Sequence, residues 1–359
     1  MTRFVKSNEA VVMGALYAGC ELYFGYPITP ASEIAHGAAK WFPMLGRTFV
    51  QAECETASVN MMYGAAAAGR LCMTATSGPG FSLMQEGLSY LAGAELPAVV
   101  VDVNRAGPGL GNVYPEQSDY TPAVKGGGHG SYQTFTLAPA SAQEMLDLTM
   151  KAFEMAAKWR TPAVVFADGL QGQMMETVRL PEKELAPPDF SAWAAQGEPA
   201  TRNNLVKSIF LDAAQQEAFN VHLQKKYARM TEDAMAETYL ADDADVLFAA
   251  FGISSRIART ACEALRAEGV KAGLFRPVTL NPFPRRQLAE AVGNAARARG
   301  ATPRILAVEL AAGQFSDDVR LNLAKAGLGA EAASVRTLNR MGGEVVTVED
   351  AVKAAKEML

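Results

Sequence analysis

Residues 49–86 read FVQAECETASVNMMYGAAAAGRLCMTATSGPGFSLMQE, and the fold class follows from this stretch. Phe49 and Val50 make a short apolar strand, followed by two carboxylates, Glu53 and Glu55. A small-residue helix is expected from about Thr56 to Ala68, then a second strand from Leu71 to Thr76. Ser77-Gly78-Pro79-Gly80 reads as a turn that ends this strand and opens another helix from about Ser82, with free N–H groups pointing outward. The run Gly64 to Gly69 is so poor in side chains that something must pack close to its backbone, as a flat ligand would. A carboxylate at one strand end beside a Gly-rich turn at another describes the ligand crevice of an open α/β sheet.

The flanking sequence continues the alternation. A helix is expected over Asn8 to Ala18, a strand over Leu22 to Gly25, and an extended turn at Tyr26-Pro27-Ile28-Thr29-Pro30 before a helix opened by Ser32-Glu33. Pro97 to Asn104 (PAVVVDVN) is a continuous apolar run suited to a strand buried on both faces. It ends at Arg105, and Gly107, Gly109 and Gly111 follow, but Asn112-Val-Tyr-Pro stands where a dinucleotide fingerprint requires a helix. Lys125 to Gly130 reads as a flexible loop. Strands over Thr134 to Ala138 and Ala163 to Ala167, with a helix over Ser141 to Trp159 between them, complete a doubly wound parallel sheet in residues 1–178. Residues 179–240 read as a linker whose polar helical stretch, Leu211 to Glu237, lies on another domain or subunit. Residues 241–359 resume the alternation as a second, smaller α/β domain.

Composition narrows the function classes. The chain has 359 residues, 49% hydrophobic and 20% charged, with a net charge of −5, which gives no reason to expect nucleic acid. No apolar run is long enough for a membrane span, and the N-terminal residues lack the apolar core of a signal peptide, so a cytoplasmic location is expected. Cys20, Cys54, Cys72 and Cys262 form no CxxC pair, and the three histidines are dispersed. An iron–sulfur cluster or zinc site held by this chain alone is therefore not expected. No G-x-S-x-G elbow suggests a triad hydrolase.

Each candidate has a plain alternative. Glu55 either complements a helix dipole or faces a ligand, and Glu53, two residues away on an extended segment, is expected to face the same way. Arg105 is an anion binder or a surface ion-pair partner, and His129 is catalytic or a loop cap.

Taken in order, Tyr26-Pro-Ile-Thr-Pro30, Val50-Gln-Ala-Glu-Cys-Glu55, Thr76-Ser-Gly-Pro-Gly-Phe-Ser-Leu-Met84 and Lys125-Gly-Gly-Gly-His-Gly130 resemble the α subunit of 2-oxoacid:ferredoxin oxidoreductases. The segments 85–97 and 168–176 look like the branched-chain (3-methyl-2-oxobutanoate, or 2-ketoisovalerate) type, to which 2-oxoglutarate α subunits are related.

The resemblance implies oxidative decarboxylation of a 2-oxoacid to an acyl-CoA, using thiamine diphosphate and passing electrons through iron–sulfur clusters to ferredoxin. It implies a pyrimidine-binding domain followed by a transketolase C-terminal-like domain. Mg2+ and the diphosphate belong to a β subunit, and 4Fe-4S clusters to a ferredoxin-like subunit beside a γ subunit. Ala167-Asp168-Gly169 is not the family's metal–diphosphate motif, in keeping with that division. By position Glu55 matches the catalytic glutamate, which hydrogen-bonds N1′ of the aminopyrimidine and favours its imino tautomer. Thr29 matches the threonine near thiazolium and substrate, and Arg105 the arginine for the substrate carboxylate. Tyr26, Pro27, Ile28, Ser77 and Gly78 would complete the cofactor contacts, with no metal ligand on this chain. Two readings of other classes stay open: a non-redox thiamine enzyme, which would keep Glu55 without iron–sulfur partners, and a non-catalytic binding subunit, which would tolerate its loss.

Overall fold

A computed structural model describes residues 1–359. Its strands are β1 (Thr2–Lys6), β2 (Leu22–Gly25), β3 (Thr48–Gln51), β4 (Cys72–Thr76), β5 (Val99–Asn104), β6 (Phe135–Leu137) and β7 (Ala163–Asp168). They continue with β8 (Met175–Arg179), β9 (Ala236–Tyr239), β10 (Val246–Ala250), β11 (Ala272–Pro277), β12 (Thr279–Asn281), β13 (Arg304–Glu309) and β14 (Arg336–Asn339).

The larger sheet has the order β12-β6-β7-β5-β4-β2-β3 and is parallel except for the β12–β6 pair. The apolar run in β5 explains why helices cover both faces. Val99, Val101 and Val103 enter one core, shared with helices Ser7–Tyr17 and Ala142–Trp159, while Val100 enters the other, shared with helix Glu55–Ala67. Helices Ser7–Tyr17 and Ala142–Trp159 approach so closely that a methyl group on Gly14 would overlap the Leu146 carbonyl. The smaller sheet, β14-β13-β10-β11-β9, is parallel except at its β9 edge.

Several expectations need correction. Ser77–Gly80 is not a free turn: the helix begins at Gly78, runs to Leu83, and is followed by helix Gln85–Gly93. Pro79 fits that first turn because its missing N–H has no intrahelical partner to lose. Lys125 and Gly126 belong to a wide π-helical turn, Pro122–Gly126. The polar helix spans Ala213–Met230 and stops short of 236–239, which pair as β9 with β11. That helix lies on the first sheet's unit: Leu223, Tyr227 and Met230 are buried there, and Lys226 pairs with Glu95 at 2.9 Å. The β1–β8 ribbon, β12 and β14 had no sequence signal of their own, because each is a short edge strand that takes its shape from its partner.

The two sheets' units are joined through residues 105–125. Gln117 donates its backbone N–H to Leu310 O (2.7 Å) and accepts from Leu310 N (3.0 Å), and Tyr120 and Lys125 both reach Asp318. Tyr120, Phe166, Phe251 and Phe315 form an aromatic cluster across the junction. No helix is long and apolar enough to cross a membrane.

Candidate active site

The C-terminal ends of β5, β4, β2 and β3 are neighbours, and each carries one of the expected segments. Arg105 follows β5, Ser77 and Gly78 follow β4, the Tyr26–Pro30 loop follows β2, and Glu55 follows β3. A parallel sheet gathers residues in this way because every strand points its C-terminal end to the same edge.

Glu55 is 5% exposed, whereas Glu53 is exposed at a bend. The expectation that both face the same way fails because the chain turns at Glu53 and Cys54 before the helix starts at Glu55. The chain supplies no hydrogen bond to the Glu55 carboxylate. Its oxygen lies against the bare Cα of Gly80, where a methyl group would overlap both this carboxylate and the Thr76 hydroxyl. Gly80 is therefore required by a close approach, with no unusual backbone angle involved.

The small-residue helix holds no such approach at Gly64, which has open space above it. Gly69 is covered by Phe190 and Ala194, and Ala195 N donates to Ala67 O at 2.8 Å. At this end of the run it is the 190–195 segment that packs close to the helix backbone.

Arg105 bridges two of the loops. Its Nη1 donates to Thr29 O (2.9 Å) and its Nη2 to Leu110 O (3.2 Å), while Nε is buried without a partner. The side chain also packs beside Gly78. Thr29 and Tyr26 are exposed, and Ser77 is buried with its hydroxyl unpaired. His129 stands apart from this group. It is exposed, edge-on to Tyr90 at 5.6 Å on helix Gln85–Gly93.

A cleft of ≈ 840 Å³ opens beside helix Gly78–Leu83 and reaches the second sheet's unit. Arg105, Gly78, Glu116, Asp119, Gln314 and Gly342 are among its lining residues. Glu116 shapes it by accepting from Gly107 N (3.0 Å) and Gly342 N (2.7 Å).

Asp102, Asn104, Glu116 and Asp119 were not among the expected site residues. Asp119 accepts the Gly78 N–H at 3.0 Å, so the first amide of that helix is already used by the chain. Asp102 is fully buried, and burial pushes its carboxyl well above the usual range, with Asp119 beside it adding to the effect. A charged residue inside the apolar run PAVVVDVN was the available signal.

The geometry is that of a strand-end ligand site in an α/β protein, where the unpaired Glu55 carboxylate and the partly engaged Arg105 guanidinium stand at neighbouring strand ends. The family described as pyruvate flavodoxin/ferredoxin oxidoreductase, thiamine diphosphate-binding, matches residues 13–241, and pyruvate:ferredoxin oxidoreductase core domain II matches residues 244–351. The chain belongs to this family of 2-oxoacid oxidoreductase subunits. It is 52% identical to ketoisovalerate oxidoreductase subunit VorB of Methanothermobacter thermautotrophicus, over 99% of this chain and 98% of that protein. It is 41% identical to 2-oxoglutarate synthase subunit KorA of Archaeoglobus fulgidus, over 78% of this chain and 82% of that one. Among solved structures it resembles 2-oxoglutarate:ferredoxin oxidoreductase from Magnetococcus marinus with 2-oxoglutarate, coenzyme A and succinyl-CoA bound. That likeness has a TM-score of 0.83 and 28% identity, and covers 99% of this chain but 65% of the other. A split-gene transketolase, at 16% identity and a TM-score of 0.57, shares the fold.

Proposed function

We propose that this chain is the α subunit of a thiamine-diphosphate-dependent 2-oxoacid:ferredoxin oxidoreductase acting on 3-methyl-2-oxobutanoate or a related branched-chain acid. Residues 1–178 serve as its pyrimidine-binding domain, 179–240 as the linker and 241–359 as the transketolase C-terminal-like domain. The observation that carries the reading is Glu55, a residue 5% exposed whose carboxylate has no partner in the chain and is set on the bare backbone of Gly80. The unpaired Thr76 and Ser77 hydroxyls and Arg105 Nε lie at the same strand ends, so the residues present suit a polar, flat cofactor.

When bound, thiamine diphosphate supplies the electron sink for decarboxylation. Glu55 would hold a proton at N1′ of the aminopyrimidine, a task for a carboxylate because it can share a proton with a weakly basic ring nitrogen. Thr29 would place its hydroxyl toward the substrate. Arg105, with two of its five N–H donors engaged by carbonyls, would offer its remaining Nη donors to the substrate carboxylate. The Tyr26–Ile28 segment, Ser77 and Gly78 would wall the cofactor. A β subunit would bring Mg2+ and the diphosphate site, and ferredoxin-like and γ subunits would complete the path through 4Fe-4S clusters to ferredoxin, with coenzyme A taking the acyl group.

The preference for a branched-chain acid is supported by the greater identity to the ketoisovalerate subunit, while the likeness to 2-oxoglutarate enzymes supports that acid as a second reading. Assay of the assembled complex with a panel of 2-oxoacids tests both. Higher kcat/KM for 3-methyl-2-oxobutanoate is expected, and preference for 2-oxoglutarate would reverse the assignment.

A further inference from the structure

Val100, Asp102 and Asn104 alternate along β5 and so share its face toward helix Gly78–Leu83. As a carboxylate, Asp102 finds no donor for either oxygen, although it is fully buried. Its neighbours in the sheet, Thr76 on β4 and Phe166 on β7, bring no charge. Facing it from the loop before the Pro122–Gly126 turn is a second carboxyl, Asp119, whose Oδ2 accepts the Gly78 N–H at 3.0 Å. Glu116 adds a third negative charge nearby, and Asn104, with neither amide atom paired, completes the surroundings of Asp119. Arg105 packs on Gly78 and brings a cation to that side.

A fully buried carboxylate in contact with a second, partly buried one does not stay ionised beside it at neutral pH. A proton between them converts an unsatisfied buried charge into a donor and an acceptor. We propose that Asp102 and Asp119 share one proton and act as positioning residues, fixing the Gly78 amide and with it the helix turn that presents Gly80 to Glu55 and Gly78 to Arg105. Burial raises both carboxyls, Asp102 the more strongly, and the Gly78 N–H donated to Asp119 opposes the rise there. Loss of the shared proton at higher pH sets the two charges against each other directly beneath that turn. Proton sharing stands on its own, whereas its effect on turnover rests on the reading of Glu55 given above.

The test uses infrared difference spectra and pH–rate profiles of the assembled complex. The wild-type spectrum minus that of Asp102→Asn is expected to show, at neutral pH, the C=O stretch of a protonated carboxylic acid, shifted in D2O and moved in frequency in Asp119→Asn, where burial keeps Asp102 protonated but its carboxylate partner is gone. Absence of that band in the wild type would overturn the shared proton. Activity is expected to fall on the alkaline side as the pair ionises, and Asp102→Asn, a permanent donor, should move this limb to higher pH. Asp119→Ala removes the acceptor for Gly78 and should lower kcat about tenfold, the scale of one hydrogen bond, with Asp119→Asn recovering most of it. Identical alkaline limbs in wild type and Asp102→Asn would overturn the positioning role. Glu55→Gln separates the two readings: normal turnover in that variant with the carboxylic band intact would sink the assignment of Glu55 alone.

Discussion

Arg105 Nη1 donates to the backbone carbonyl of Thr29 at 2.9 Å, joining two loops 76 residues apart in the chain. One side chain thus holds the Tyr26–Pro30 loop against the start of helix Gly78–Leu83, while its Nε stays unpaired. Arg105 therefore has a structural task as well as a proposed recognition task, and a substitution series can distinguish them.

Arg105→Lys keeps the charge but loses the planar fork, and Arg105→Ala loses both. Loss of a charged contact to the substrate carboxylate should cost about 2–4 kcal/mol in kcat/KM, carried mainly by KM if binding is uniform. Lysine is expected to restore only part of the loss. Steady-state kinetics of the assembled complex decide, and a normal Arg105→Ala enzyme would remove the residue from substrate recognition.

Glu55→Gln preserves size but cannot share a proton with a ring nitrogen in the same way. Any helix-start effect should stay within about 1 kcal/mol of stability. Deuterium exchange at the cofactor's reactive carbon should fall roughly 10²–10⁴-fold, the scale of a positioned acid–base group. Slow exchange with near-normal melting is the expected result. Normal exchange would leave Glu55 a buried helix-start residue.

Gly80→Ala places a methyl group on the Glu55 carboxylate and the Thr76 hydroxyl. Overpacking of this kind costs about 1–3 kcal/mol, and turnover should fall as Glu55 is displaced. Gly64→Ala is the control, since its helical site has open space above it. There the melting temperature of the chain should rise, by the equivalent of about 0.5–1 kcal/mol. Equal effects at the two positions would contradict the packing described.

Asp168 should give stability a pH dependence. Its Oδ1 accepts from Leu170 N (3.0 Å) and Gln171 N (2.9 Å), yet burial pushes the carboxyl from 3.8 up to about 6. The folded protein thus holds this proton more tightly than the unfolded chain. The stabilising contribution is fully present below 3.8 and is lost as pH rises through about 6. The gap corresponds to about 3 kcal/mol. Asp168→Asn keeps the acceptor and removes the charge, so denaturant melts should show a flatter pH dependence and greater stability near neutrality. Parallel curves for wild type and variant would show that Asp168 contributes no linkage.

Much of this protein was legible from neighbouring residues alone. The run PAVVVDVN announces a strand buried on both faces, Leu22–Gly25 lies where its apolar residues place it, and Ser141 caps the helix it precedes. Glu55, Thr29, Arg105, Ser77 and Gly78 stand out because glycine, proline and charge at strand ends carry a local signature. What residues 53 and 55 face depended on a bend, and the chain's own use of the Gly78 amide depended on Asp119, 41 residues away. Likewise, β12 joins the first sheet from position 279, far beyond the other strands of that sheet. Periodicity and turn chemistry act over a few residues and leave their mark in sequence. Strand order, orphaned polar atoms and the meeting of Asp102 with Asp119 arise only when distant segments are packed together, where burial sets the cost of every unpaired group.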